Sequence, residues 1–178
     1  MQLTIGQKVA YPHQGVCLVE EIRKRTVGDR SLNGYCLRIL GDNSTIFVPE
    51  ENADTVGIRP LISSAQCKKL LGQLAADFEP SEDDWKTRSR EFSEKLHSGD
   101  VFEAAYVLKR LTYLSFEKKL SFREQTMLEK AKFLVVSELS SGDRKSQEQT
   151  LKQVSQLVEG ACEKHRTLVP KTFSASVH

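Results

Sequence analysis

Over residues 1–60 the apolar positions come in short runs rich in β-branched and aromatic side chains, divided by glycine, proline, asparagine and aspartate. That grammar predicts strands rather than helices. Lys8–Tyr11 reads as a short strand ending in the turn cluster Pro12-His13-Gln14-Gly15. Val16–Lys24 follows, with Val16, Leu18, Val19 and Ile22 as β-formers. Val27–Gly34 carries two turn signals, Gly28-Asp29 and Asn33-Gly34. Tyr35–Leu40 is the next strand, Gly41-Asp42-Asn43 a tight turn, Thr45–Val48 a further strand, and Val56–Arg59 closes the set. Five short strands in about 60 residues predict a small SH3- or Tudor-like barrel.

After Pro60 the period changes to that of helices. Ser63 or Ser64 caps a first helix carrying Leu70, Leu71 and Leu74, and Phe78-Glu79-Pro80 ends it. Ser81 and Asp84 have capping-box-like spacing before a second helix that runs to about His97. Asp100 with Glu103 starts a third, reaching about Glu117, and Ser121 with Glu124 starts a fourth through Leu139. Gly142-Asp143 interrupts the pattern, a fifth helix spans Ser146 to Glu159, and the chain is expected to fray from Ala161 to His178. The reading is therefore α+β: a strand domain over 1–60, a compact helical domain over 61–160, and a disordered tail over 161–178.

Trp85 is the one tryptophan of the chain, and its surroundings admit two readings. It shares a helical face with Phe92 and Leu96, and periodicity taken alone puts it in the core. It also stands in the first turn of its helix, with Lys86, Arg88 and Arg90 directly behind. An aromatic face beside cations suits a base or base pair together with phosphates. The basic run alone reads as a solvated face. So do the pairs Lys109-Arg110 and Lys118-Lys119, though these could extend a basic surface.

Composition narrows the choice. The chain has 178 residues, 39% of them hydrophobic and 28% charged, with a net charge of only +2. Bases and acids balance at 7 each over residues 1–60 and 13 each over 61–139, so the excess lies in the last segment. No global field drives this protein onto nucleic acid, and any such binding must be local or delivered by a partner. The N-terminus MQLTIGQKVAYP lacks the basic-then-apolar pattern of a signal peptide, and no apolar run approaches a membrane span, so the cytoplasm is the expected compartment.

Catalytic motifs do not emerge. A phosphate-binding loop, a dinucleotide fingerprint and a metalloprotease helix are all missing. Cys17, Cys36, Cys67 and Cys162 are scattered without metal spacing and read as reduced and buried; His13 and Cys17 alone do not make a zinc site. No metal or cofactor is expected. A cysteine nucleophile assisted by His13 is a remote reading, and His97 and His165 read as surface histidines.

Taken together, the stretches VAYPHQGV (9–16), FVPEENADTVGIR (47–59), the Trp85 segment, EKLHSGDVFEAAYVLKRL (94–111) and LSFREQTMLEKAKFLVVSEL (120–139) resemble the CarD/CdnL family of bacterial RNA polymerase-binding transcription regulators. The resemblance runs over about residues 1–160 and keeps its motifs in order across both halves. It implies a barrel, found also in transcription-repair coupling factors, that docks on the polymerase β subunit. It further implies a helical domain that sets its tryptophan in the minor groove at the upstream edge of the melted promoter, without a sequence-specific operator. The open complex then lives longer. Carried over by position, the implied polymerase contacts are Arg25, Phe47, Val48 and Pro49, and the DNA contacts Trp85, Lys86, Arg88 and Arg90. Phe47 stands where the family often has a basic residue. A non-enzymatic monomer associated with the nucleoid through polymerase is expected. The competing reading is a protein-interaction adaptor with the same barrel and Trp85 buried.

Overall fold

The computed structural model describes residues 1–79, 84–143 and 145–168. Five strands, β1 (Lys8–Tyr11), β2 (Gly15–Val27), β3 (Arg30–Ile39), β4 (Thr45–Pro49) and β5 (Arg59–Pro60), form one antiparallel sheet in the order β4-β3-β2-β1-β5. A 3₁₀ turn at Glu50–Asn52 and the short helix α1 (Ala53–Val56) link β4 to β5. The helices α2 (Ser64–Ala75), α3 (Trp85–His97), α4 (Val101–Glu117), α5 (Phe122–Asp143) and α6 (Gln147–Leu168) follow. This is the expected α+β order, a strand module followed by helices.

Two apolar clusters hold it together. Val9, Cys17, Val19, Tyr35, Leu37 and Val48 centre the first, inside the sheet module. Leu70, Leu74, Phe92, Leu108, Leu111, Val135 and Leu139 centre the second, among the helices.

Several expectations fail for tertiary reasons. β2 and β3 form one long hairpin pairing from Cys17↔Ile39 out to Val27↔Arg30, so only Gly28-Asp29 turns the chain. Asn33-Gly34 lies inside β3. Gly34 is there because Phe47 lies across it: a Cβ would stand 2.5 Å from the Phe47 ring and 2.6 Å from the Val48 carbonyl. Val56 ends α1, and the closing strand is Arg59–Pro60. Gly142-Asp143 belongs to α5 rather than interrupting it.

Ala161 does not start a frayed tail, because α6 runs on to Leu168. Its last turns are docked. His165, buried rather than on the surface, meets Asp77 at 2.7 Å through Nδ1 and stacks on Phe78 with centroids 5.1 Å apart. The hydrogen bond from His165 and the Phe78 N–H hold the Asp77 carboxyl below the usual carboxylate range. Lys109 is likewise buried and not solvated. Its ammonium donates to the Gln73 carbonyl at 2.7 Å and to Ala76 O, covering carbonyls at the end of α2, and burial pulls its pKa down.

The sheet and the helices meet along a seam. Arg59 reaches from β5 into it, donating to both carboxylate oxygens of Glu138 on α5 at 2.5 and 2.8 Å and to the Gly99 carbonyl at 3.0 and 2.8 Å. Glu138 also accepts from the Ile62 N–H at 3.0 Å. Phe133 of α5 packs where Gly15 and Gly41 leave room. His13 stacks on His97 with ring centroids 4.1 Å apart and planes within 8°.

Candidate nucleic-acid interface

The site is built on a helix start. Asp84 is the N-cap of α3: its carboxylate accepts from the backbone N–H of Lys86 at 2.8 Å and Thr87 at 3.1 Å and from the Thr87 hydroxyl at 3.1 Å. Those bonds hold the Asp84 carboxyl below its usual pKa. Asp84 caps α3, and the expected Ser81 partner and Pro80 break lie outside the described residues, as does the tail beyond 168.

With Asp84 at the cap, Trp85 is the first helical residue. It is 61% exposed, while Phe92 and Leu96 on the same face are buried. The periodic reading had the face right and the depth wrong, because Trp85 lies beyond the end of the core. The alternative that buries this residue is corrected accordingly.

The three cations behind Trp85 do not form one cluster. The Lys86 ammonium stands 5.9 Å from the centre of the indole. Arg88 is half-buried, its Nη2 3.5 Å from Glu124 Oε1 on α5. Arg90 is exposed and pairs one turn along with Glu94 at 3.0 Å. Exposed pairs of that kind contribute little to stability.

A cleft of about 310 Å³ opens beside Trp85 between α3 and the start of α5. Trp85, Phe92 and Met127 give it apolar walls, and Arg88, Lys118 and Arg123 stand around it. Its one carboxylate among the described residues, Glu124, is fully engaged. Lys118 Nζ sits 3.2 Å from both oxygens, and the Ser121 N–H donates at 2.9 Å. The Glu124 N–H returns a bond to Ser121 Oγ at 3.3 Å, completing the capping box expected at the start of α5. Burial opposes the charge on Glu124, yet the Ser121 bonds and Lys118 outweigh it and hold the carboxyl below its usual range.

Lys118, Arg123, Ser89 and Phe122 were not singled out as site residues. Phe122 is 85% exposed at the first position of α5, as Trp85 is on α3. The signal was present: each helix opens with a cap, an aromatic and a base, Asp84-Trp85-Lys86 and Ser121-Phe122-Arg123.

The residues expected to face polymerase lie on the sheet. Arg25 of β2 stands 5.7 Å from the centre of the Phe47 ring on β4. Phe47 and Pro49 are partly exposed, whereas Val48 is 3% exposed and packs inward opposite Tyr35. Val48 therefore supports this surface from below.

The cysteine reading loses its basis. All four thiols are buried, and burial pushes those of Cys17 and Cys162 up to about 11, so neither is a thiolate near neutral pH. The Cys17 thiol lies 3.8 Å from the Gly15 carbonyl, and His13 is stacked on His97. Among the described residues, no helix is long and apolar enough to cross a membrane.

Comparison with known proteins matches residues 3–62 to the CarD-like/TRCF RID domain and residues 69–155 to the CarD C-terminal domain. The chain is 27% identical over 139 residues to YdeB of Bacillus subtilis (strain 168), a candidate transcription factor, covering 76% of this chain and 88% of that one. It is 36% identical to the 72-residue N-terminal domain of Myxococcus xanthus CarD, solved by NMR, over 33% of this chain and 79% of that domain, with a TM-score of 0.29.

Proposed function

The chain belongs to the CarD family of transcription regulators, and we propose that it docks on the β subunit of bacterial RNA polymerase and prolongs the promoter open complex by setting Trp85 in the minor groove at the upstream edge of the bubble. The sheet module would make the polymerase contact through Arg25, Phe47 and Pro49. Phe47 with Arg25 beside it makes this patch more apolar than a base at that position would.

The observation that carries the reading is the exposure of Trp85 at the tip of a capped helix beside a basic cleft. An indole held there by the first turn of α3 can stack on or wedge against bases. Lys86, Arg88 and Arg90 supply phosphate contacts that carry no sequence information. With a net charge of +2 the protein would hold free DNA weakly. Tethered to polymerase as a single copy on the nucleoid, the same small patch acts at high effective concentration. A non-enzymatic role fits thiols that are all buried.

The test uses the full chain with purified bacterial polymerase. The wild type should be retained by polymerase and lengthen the lifetime of competitor-challenged open complexes. Trp85→Ala should be retained equally and lose most of that gain. A chain that is not retained, or a gain indifferent to Trp85, defeats the proposal.

A further inference from the structure

Pro12 and His13, in the turn between β1 and β2, do not line the Trp85 cleft and are half-buried at the seam instead. The Pro12 ring lies between two glycines in left-handed backbone, Gly57 after α1 (φ 86°) and Gly99 after α3 (φ 82°). A Cβ would stand 3.3 Å from Pro12 Cγ at Gly57 and 3.0 Å from it at Gly99, so the ring is held closely on both sides. His13 stacks on His97, the last residue of α3. Arg59 donates to the Gly99 carbonyl through Nε and Nη2. Three residues of the sheet module thus hold one corner, the turn where α3 ends and α4 begins. The covalent link is short as well, since β5 ends at Pro60 and α2 starts at Ser64. The gripped corner is the far end of the helix that carries Trp85. The 13 residues of α3 span about 20 Å at about 1.5 Å each. A tilt of about 10° at the corner would carry the indole about 3 Å, and a stacked ring or a phosphate contact is lost over that distance.

We propose that Pro12, His13 and Arg59 are positioning residues, which clamp the α3–α4 corner so that Trp85 is presented at a fixed distance and angle from the polymerase surface on the sheet. This rests on the reading of Trp85 and of the sheet surface given above. None of the three touches DNA or polymerase. They act through α3, which is oriented before DNA arrives, and preorganisation of that kind removes the ordering cost of placing the indole at the fork.

The test loosens the clamp and leaves both contact surfaces as they are. Pro12→Ala combined with His13→Asn removes the ring from between the glycines and the stack on His97, and asparagine tolerates the left-handed backbone at position 13. The full chain is titrated onto purified bacterial polymerase, first without DNA and then on competitor-challenged open complexes. Affinity for polymerase alone should equal that of the wild type. The lifetime gain at saturating chain should fall about fivefold or more, the lower end for losing an aromatic–base stack. Adding Trp85→Ala to the loosened chain should cost nothing further, because the clamp acts only through Trp85. A seam that serves stability alone gives another result, a lower melting temperature with the full gain recovered once the chain saturates polymerase. That outcome overturns the proposal, and so do losses that multiply with Trp85→Ala. Should the loosened chain fail to fold, a distance measurement on the otherwise unaltered chain decides. Spin labels on Thr26→Cys of the sheet and Arg90→Cys of α3, both exposed while the native thiols are buried, should report one narrow distance in the free protein. A broad distribution overturns the clamp. If Trp85→Ala shortens the lifetime and the loosened chain does not, the clamp falls and the reading of Trp85 stands. If Trp85→Ala changes nothing, both fall.

Discussion

Arg59 and Glu138 form a two-pronged ion pair across the seam between sheet and helices, with one guanidinium prong on each carboxylate oxygen. The Glu138 side chain is only 5% exposed, and burial works against the Arg59 charge until Glu138 outweighs it and raises its pKa. Removing one partner strands the other. Arg59→Ala should destabilise the protein by about 3 kcal/mol, the lower end for breaking a buried pair because Arg59 is partly exposed. Arg59→Lys should recover only part, since one ammonium cannot meet Glu138 and the Gly99 carbonyl in the same fork. The double variant Arg59→Met/Glu138→Leu should melt closer to wild type than Arg59→Ala. Denaturant titrations of the four proteins check this, and equal losses for Arg59→Ala and the double variant would contradict it.

Trp85 makes a contrasting case. A buried tryptophan truncated to alanine costs about 3–5 kcal/mol. An exposed one outside any network should cost about 0.5 kcal/mol or less. Trp85→Ala should therefore melt within a few degrees of wild type. Because Trp85 is the only tryptophan, native fluorescence reports on it alone and should be red-shifted and readily quenched by acrylamide. A blue-shifted, protected emission would return Trp85 to the core.

The stacked histidines give the seam a pH response. His13 is held in left-handed backbone (φ 64°), its Nδ1 is buried without a partner, and burial first, then Lys130 and His97, lower its pKa from 6.5. The folded state therefore binds the proton less readily than the unfolded one. Stability from this group is present above about pH 6.5 and is lost as the pH falls toward the lowered value. Melting temperature should drop below about pH 6.5, and His13→Asn, which tolerates the left-handed backbone, should flatten that stretch of the curve. Identical pH profiles for the two proteins would remove His13 from the account.

What could be read from the chain follows how local each determinant is. Ser63 with Gln66 and Ser121 with Glu124 form the capping boxes that three-residue spacing announces, and Asp100 caps α4 by accepting from Phe102. Glu103 does not complete the Asp100 box, because it is drawn to Lys95 of α3. The failures share that cause. Asn33-Gly34 looked like a turn until Phe47 from another strand required the glycine, and α6 outlasts its own pattern because Asp77 and Phe78 hold His165. For the site, helix period gave the face of Trp85 but not its height above the core. The cleft could not be read at all, since it joins α3 to the start of α5 some thirty-odd residues later.

Glu124 offers the sharpest test of the basic patch, because it holds Lys118 back from DNA. Lys118 and Arg88 both lie against its carboxylate, while Ser121 uses the same oxygens to cap α5. Glutamine keeps an acceptor for the Ser121 N–H, so Glu124→Gln preserves the capping box and removes only the charge. Its helix start then meets the dipole less well, and melting should fall modestly, by about 1 kcal/mol in stability. At the cleft the change acts in the opposite sense. Lys118 no longer answers a carboxylate and is available to phosphates. Each added phosphate contact steepens the fall of log K with log salt by about 0.9. Glu124→Gln should therefore raise the gain in open-complex lifetime at low salt and lose it faster as salt rises, about equally for different upstream sequences. Lys118→Ala on the Glu124→Gln background should take back about one contact. The measurement is open-complex lifetime on polymerase over a salt series. A slope that Glu124→Gln leaves unchanged would mean that Lys118 serves the fold alone.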